Sequence, residues 1–214
     1  MNYLQTLKKA LCGGMLLAGG MVLWAQDIVL PAPDTTGGKP LMEVLKTRKS
    51  LRAYSPRELT RQQLSDLLWA TWGVNRADGK RTAPTACNNQ EIDVAVCLSS
   101  GTYLYEAKEN RLKQLGKKDI RKSCGIQPFV AKAPVILVLL SDYRRMKMLD
   151  EDHKPFYSGI DIGYVSQNIY LYCTSAGLST VALGMINREL IAKELKLAPE
   201  QKVMLGHPVG FPEK

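Results

Sequence analysis

The sequence predicts an α+β fold, in which helices and strands intermix without the regular βαβ period of a doubly wound sheet. Three observations carry that prediction. Residues 92–98 alternate in polarity and run into a Ser100-Gly101 turn, the pattern of a strand entering a hairpin with Tyr103 and Tyr105. Residues 134–140 are a near-continuous β-branched and leucine run, as a strand buried on both faces requires. Residues 159–176 repeat apolar side chains at spacings of three and four, the period of a helix with one buried stripe.

The elements follow in order. Residues 1–25 carry Lys8 and Lys9, an apolar run from Ala10 to Trp24, and a small residue, Ala25, at the exit. That is the layout of a secretory signal peptide. The run of about 15 apolar residues is shorter than the ~20 that span a bilayer as a helix. The expectation is an exported, periplasmic protein with no stable membrane span; a cytoplasmic one follows only if the segment is not a signal. Residues 26–40 hold three prolines and two glycines and read as an extended N-terminal arm, leading into one domain at 41–214.

Within that domain, 41–48 predicts a short helix. Thr60 and Gln63 predict a capping box for a second helix, with Leu64, Leu67, Leu68 and Trp72 as its stripe and Gly73 at its end. The charged stretch 143–157 reads as a surface loop or lid. Ser158 and Asp161 are expected to cap the long helix, with Gly177 closing it in the left-handed conformation. A strand at 178–183, a helix capped by Asn187 and a last strand at 202–205 complete the chain. Basic residues between 108 and 122 read as a solvated face.

Composition excludes several classes. With 45% hydrophobic and 23% charged residues, the 214-residue chain is neither disordered nor fibrous. Its net charge of +9 favours acidic partners without choosing among nucleic acid, lipid and phosphorylated ligand. No nucleic-acid partner is expected, and no metal, because only His153 and His207 accompany the widely spaced Cys87, Cys97, Cys124 and Cys173. No H-E-x-x-H, G-x-S-x-G or P-loop pattern occurs, so zinc hydrolases, serine hydrolases and P-loop enzymes lose their usual support.

Chemistry concentrates in Arg48-Lys49-Ser50-Leu51-Arg52. Three cations and a hydroxyl at the end of a predicted helix can converge on one anion, although a solvated basic turn has the same composition. Three further segments accompany it: Pro84-Thr85-Ala86-Cys87-Asn88-Asn89-Gln90 ahead of a strand, Asp161 through Asn168 on the long helix, and Val181-Ala182-Leu183-Gly184 after a buried strand. In this order, with the close His207-Pro208-Val209-Gly210-Phe211-Pro212, they resemble the FMN-dependent nitroreductase family from residue 41 to 212. The basic element is similar to that family's R-x-S-x-[RK], and the P-T-A-C-N-N-Q loop to its P-S-x-x-N-x-Q.

The resemblance implies a nitroreductase-like fold, with a central mixed or antiparallel sheet flanked by helices, and a homodimer with FMN at the subunit interface. Arg48, Lys49 and Ser50 match positions on the phosphate and ribityl chain, and Arg52 the cation near the pyrimidine edge. Thr85, Ala86, Asn88 and Gln90 match a loop that reaches the flavin held mainly by the other subunit. Leu183, Gly184 and Met185 match the backbone facing N5. Lys214 is the one candidate for the family's C-terminal phosphate contact.

No protein nucleophile is implied, since the chemistry is the cofactor's. A reduced donor, NAD(P)H or another reductant, would pass two electrons to a small-molecule acceptor such as a nitroaromatic or quinone. Export argues for a donor other than freely diffusing NAD(P)H. Two other readings remain: a flavin-binding or scavenging protein without turnover, and a basic surface-binding module. Asp161, Gln167 and Asn168 serve either helix contacts or flavin, Trp69 and Trp72 read as core, and His207 is structural or a proton donor.

Overall fold

The computed structural model describes residues 26–213; the predicted signal segment and Lys214 lie outside the described residues. Seven strands form one sheet: β1 (Ile28–Val29), β2 (Ile92–Leu98), β3 (Gly101–Glu106), β4 (Arg111–Gly116), β5 (Val135–Asp142), β6 (Ser179–Thr180) and β7 (Gln201–Gly210). Their spatial order is β1-β4-β3-β2-β5-β7-β6, and every pairing is antiparallel. Among the described residues, four helices accompany the sheet: α1 (Leu41–Thr47), α2 (Arg61–Trp72), α3 (Lys154–Ser175) and α4 (Arg188–Leu195).

β5 shows why the apolar run is continuous. Val135, Leu137 and Leu139 point into the core beneath α2 and α3, where they join Leu67, Leu68, Ile162, Val165 and Ile169. Ile136, Val138 and Leu140 point the other way, into a second core with Ala95, Cys97, Val181 and Ile191. Successive strand residues face opposite sides, so a central strand covered on both must be apolar throughout.

The capping box of α2 forms as expected: Gln63 N–H donates to Thr60 Oγ1 at 3.1 Å, and Thr60 N–H to Gln63 Oε1 at 3.0 Å. Gly177 takes φ +69° after α3, and Asn187 Oδ1 accepts Leu190 N–H at 3.0 Å to open α4.

Six expectations are corrected. Helix α3 begins at Lys154, not Gly159, because Pro155 in its first turn gives up no hydrogen bond and is preset for helix. Ser158 and Asp161 therefore lie inside it, both buried, and form no cap. The lid shrinks accordingly, to a 3-10 turn at Tyr143–Arg145 and the turns before His153.

The arm is not wholly exposed: β1 pairs with β4, Leu30 is buried, and the Pro31 carbonyl accepts from Ser65 Oγ at 2.6 Å and Asn110 Nδ2 at 2.7 Å. The basic stretch contains β4, whose Leu112 is fully buried while Arg111 pairs outward with Glu106 and Asp27. The last strand runs ten residues rather than four, carrying His207 and Pro208 opposite Leu137 and Ile136.

Candidate functional site

Helix α1 ends with Arg48 N–H donating to the Val44 carbonyl at 2.8 Å, and the chain leaves extended. Leu51 N–H then donates to the Thr180 carbonyl at 2.9 Å, fastening the basic element to β6. Tyr170, on α3, joins it to the segment after β6. Its hydroxyl accepts Ala182 N–H at 2.8 Å and bonds Ser50 Oγ at 2.9 Å, and the Arg48 guanidinium lies 5.1 Å from its ring centroid. Such a cation over an aromatic face is favourable and fixes the guanidinium's position.

Leu183 is held next to this network by two backbone bonds with Gly206, of 2.8 and 3.1 Å, and its side chain is buried. Gly184 and Met185 follow on the surface, and a Cβ built at Gly184 would meet nothing within 4 Å. The sequence-predicted residues Arg48, Lys49, Ser50, Arg52, Leu183, Gly184 and Met185 thus form one surface. Its cations, Lys49 and Arg52 exposed and Arg48 half-buried, border an open backbone ridge. An anionic ligand with a flat ring suits that arrangement: Arg supplies a planar fork, Lys a compact charge and Ser a hydrogen bond.

Under this surface lies His207, fully buried. Its Nε2 is 2.8 Å from Ser166 Oγ, its Nδ1 is 3.2 Å from Thr180 Oγ1, and its ring packs edge-on against Tyr170. Burial pushes its pKa down to about 3, so the imidazole is a neutral strut behind Tyr170 and not a proton donor at neutral pH.

The second predicted cluster lies elsewhere. Ala86–Asn88 form a single 3-10 turn in which Cys87, Asn88 and then Gln90 take positive φ, of 52°, 51° and 47°. Non-glycine residues there store of order 1 kcal/mol of strain each, so neighbours must hold them. Thr85 Oγ1 accepts Gln90 N–H at 3.0 Å, and Asp161 Oδ2 accepts Ala86 N–H at 2.9 Å. The Gln90 side chain is taken up by Arg81 and the Gly79 carbonyl, leaving Asn88 exposed.

Glu91 follows the loop, completely buried, with no hydrogen-bond partner for either carboxyl oxygen. Burial first, and the neighbouring Asp161 charge, push its pKa up to about 7; burial raises Asp161 as well. Two carboxylates only accept hydrogen bonds, so one proton between them supplies the missing donor.

Asp161 and Tyr170 are nine residues apart on α3, two and a half turns. At 3.6 residues and 5.4 Å per turn they sit on opposite edges of the helix, about 14 Å apart along it. The two clusters therefore border opposite sides of one chain. Gln167 is exposed, Asn168 Nδ2 reaches the Thr82 carbonyl at 3.5 Å, Trp72 is core, and Trp69 Nε1 donates to the Val74 carbonyl at 3.1 Å. Tyr170 and Glu91 went unmarked by sequence reasoning. Tyr170 sits beside the apolar stripe and could have been found as an aromatic with a polar tip; nothing local signals the burial of Glu91.

The nitroreductase family model matches residues 45–211. A protein of Methanocaldococcus jannaschii named as a nitroreductase is 29% identical over 180 residues, 79% of this chain and 90% of its own. The FMN reductase [NAD(P)H] of Bacillus subtilis is 26% identical over 78% of this chain and 66% of its own length. Among solved structures, one from Ralstonia eutropha described as a nitroreductase superposes with a TM-score of 0.84 at 38% identity, covering 88% of this chain and 90% of its own. With the family model spanning strands, helices and both clusters, this chain belongs to the nitroreductase family, a family of oxidoreductases.

Proposed function

We propose that this chain is an FMN-dependent oxidoreductase that works as a homodimer, passing two electrons from a reduced donor to a small organic acceptor. The observation that carries the reading is the surface joined by Tyr170, where Arg48, Lys49, Ser50 and Arg52 meet the open ridge at Gly184. These residues fit a flavin mononucleotide: cations and a hydroxyl for the phosphate and ribityl chain, and an exposed backbone with free space for the ring edge. Arg48, Lys49 and Ser50 would hold the phosphate end. Arg52 would bring positive charge to the flavin ring, and the backbone at Leu183–Met185 would lie along its edge. Bound FMN supplies the electron transfer itself, so no side chain has to act as a nucleophile. A positive group fixed where negative charge develops needs no rearrangement during the reaction.

Two features support the dimer. The Thr85–Gln90 loop and the basic surface border opposite edges of α3, so both reach one ligand only if they come from different chains. Helix α3 also turns Phe156, Ile160 and Tyr164 outward, four residues apart and exposed. Contiguous apolar surface of this kind marks a contact face. The family name and the Bacillus relative favour a nicotinamide donor and a nitroaromatic or quinone acceptor.

The test is flavin loading and turnover. Purified protein should be yellow or take up added FMN, bleach anaerobically with a reduced donor, and recover its colour with a quinone. Arg48→Ala should weaken FMN binding about ten- to a hundredfold, the cost of a lost charged partner. Colourless protein that ignores added FMN overturns the reading; bound FMN that no donor bleaches turns it into a flavin scavenger.

A further inference from the structure

Two cysteines with no part in the flavin surface face each other inside the second core. Cys97 lies near the end of β2, paired in register with Thr102 of β3 and Ile136 of β5. Cys124 follows a single 3-10 turn, Arg121–Ser123, in the irregular segment between β4 and β5. Both are fully buried, and their Sγ atoms are 3.7 Å apart. Of the other thiols among the described residues, Cys87 is exposed and Cys173 is buried in the opposite core, under α3.

We propose that Cys97 and Cys124 are a disulfide pair, closed while the chain folds by exchange with a small-molecule or protein disulfide. A sulfur–sulfur bond is about 2.05 Å long, so the two atoms must approach by under 2 Å. Cys97 is fixed by strands on both sides, whereas Cys124 sits on a short turn outside the sheet, so Cys124 moves. The exchange balances in two steps. One thiolate attacks the oxidant's disulfide, forming a mixed disulfide and releasing one oxidant thiol. The second cysteine then attacks the first, closing Cys97–Cys124 and releasing the other thiol. Two electrons and two protons leave the protein, and the oxidant is reduced to two thiols.

The timing follows from access. A thiolate must be exposed to attack, and burial together with the neighbouring Cys124 holds the Cys97 thiol well above its usual range in the folded protein. Closure therefore belongs to folding in an oxidising compartment, the setting that the 1–25 segment predicts. The bond would tie down a segment under the flavin surface. The Cys124 carbonyl oxygen lies 3.3 Å from where a Cβ would sit on Gly206, the backbone partner of Leu183, and a Cβ on Gly125 would lie 3.2 Å from Leu183 Cδ1. The proposal does not depend on flavin binding.

The experiment uses the full chain with Cys12→Ser and Cys87→Ser, which leaves Cys97, Cys124 and Cys173. It is denatured, then refolded in parallel in oxidised glutathione and in dithiothreitol, and alkylated without reduction. In the oxidised sample a non-reduced digest should contain a peptide linking Cys97 to Cys124, with Cys173 alkylated. Its Tm should exceed that of the reduced sample by about 5–15 °C, as closing a loop of this length predicts. Adding Cys124→Ala should abolish the linked peptide and the Tm difference, whereas adding Cys173→Ala should leave both. No linked peptide at excess oxidant, a link to Cys173 instead, or an oxidised form with equal or lower Tm overturns the pairing.

Discussion

Replacing Glu91 by glutamine tests the shared proton between Glu91 and Asp161. Glutamine has the shape of the protonated acid but cannot ionise. In the parent, burial and Asp161 raise the Glu91 pKa from 4.5 to about 7. Between those values the folded protein keeps a proton that the unfolded chain has released, so stability falls as pH rises through this window. Below about 4.5 both states are protonated and the contribution is fully present; above about 7 it is lost. Each pKa unit is worth about 1.4 kcal/mol, which sets a ceiling of about 3 kcal/mol on the loss. At this chain length that corresponds to on the order of 5–10 °C in Tm. Arg145, the cation beside the pair, does not cancel the effect: its Nη2 is committed to Asp93 at 2.7 Å and to the Glu91 backbone carbonyl at 2.6 Å.

The assay is thermal melting of parent and Glu91→Gln at a series of pH values from 4.5 to 9. The variant should match the parent at the acid end and exceed it increasingly up to about pH 8, where the gap levels off. Asp161→Asn should narrow the pH-dependent loss without removing it, because burial alone still opposes the Glu91 charge. A gap that stays constant across the range would refute the shared proton, since no titration would then separate the two proteins.

Three other outcomes are expected. Tyr170→Phe leaves Ala182 N–H without its acceptor and frees Ser50, so it should cost about 1–3 kcal/mol and loosen FMN; an unchanged melt and unchanged FMN affinity would remove Tyr170 from the site. Ile160→Glu on the outward face of α3 should shift sedimentation from dimer to monomer and release flavin, and a persisting loaded dimer would move the interface elsewhere. His207, held neutral by burial, should show imidazole NMR signals that do not move between pH 5 and 8; a titration in that range would contradict its role as a strut.

Much of this was legible because local chemistry decided it. The capping box at Thr60 and Gln63, the left-handed Gly177 and the two-sided run of β5 each follow from residues close in sequence. Failures came where distant contacts decide. β4 has two basic residues flanking Leu112, Arg111 and Lys113, and only its pairing with β1 and β3 makes it a strand. The start of α3 was misplaced because Ser158 and Asp161 look like caps, while their buried position comes from packing against the sheet and the Thr85–Gln90 loop. Of the site, both clusters were readable as motifs. That Tyr170 joins Arg48 to Ala182 was not, since those residues are far apart in the chain and meet only in the fold.

On the proposed dimer, helix α3 explains why one chain would be half a site. It has 22 residues, about 33 Å of helix, longer than burial of one domain core requires. One stripe, from Ile162 through Val165, Ile169 and Cys173, faces the sheet. One edge carries Asp161 to the Thr85–Gln90 loop, and the other carries Tyr170 to Arg48 and Ala182. The outward face carries Phe156, Ile160 and Tyr164 together with Gly159, Gly163 and Gln167, and no charged side chain. An outward helix face without charge is unusual where water alone covers it. The single chain buries only the sheet side, which leaves the outward side for the second copy of the proposed dimer. A two-fold axis there would carry each chain's Thr85–Gln90 loop toward the other's basic surface. The same helix face that excludes water from the interface would then set the distance between the two halves of each flavin site.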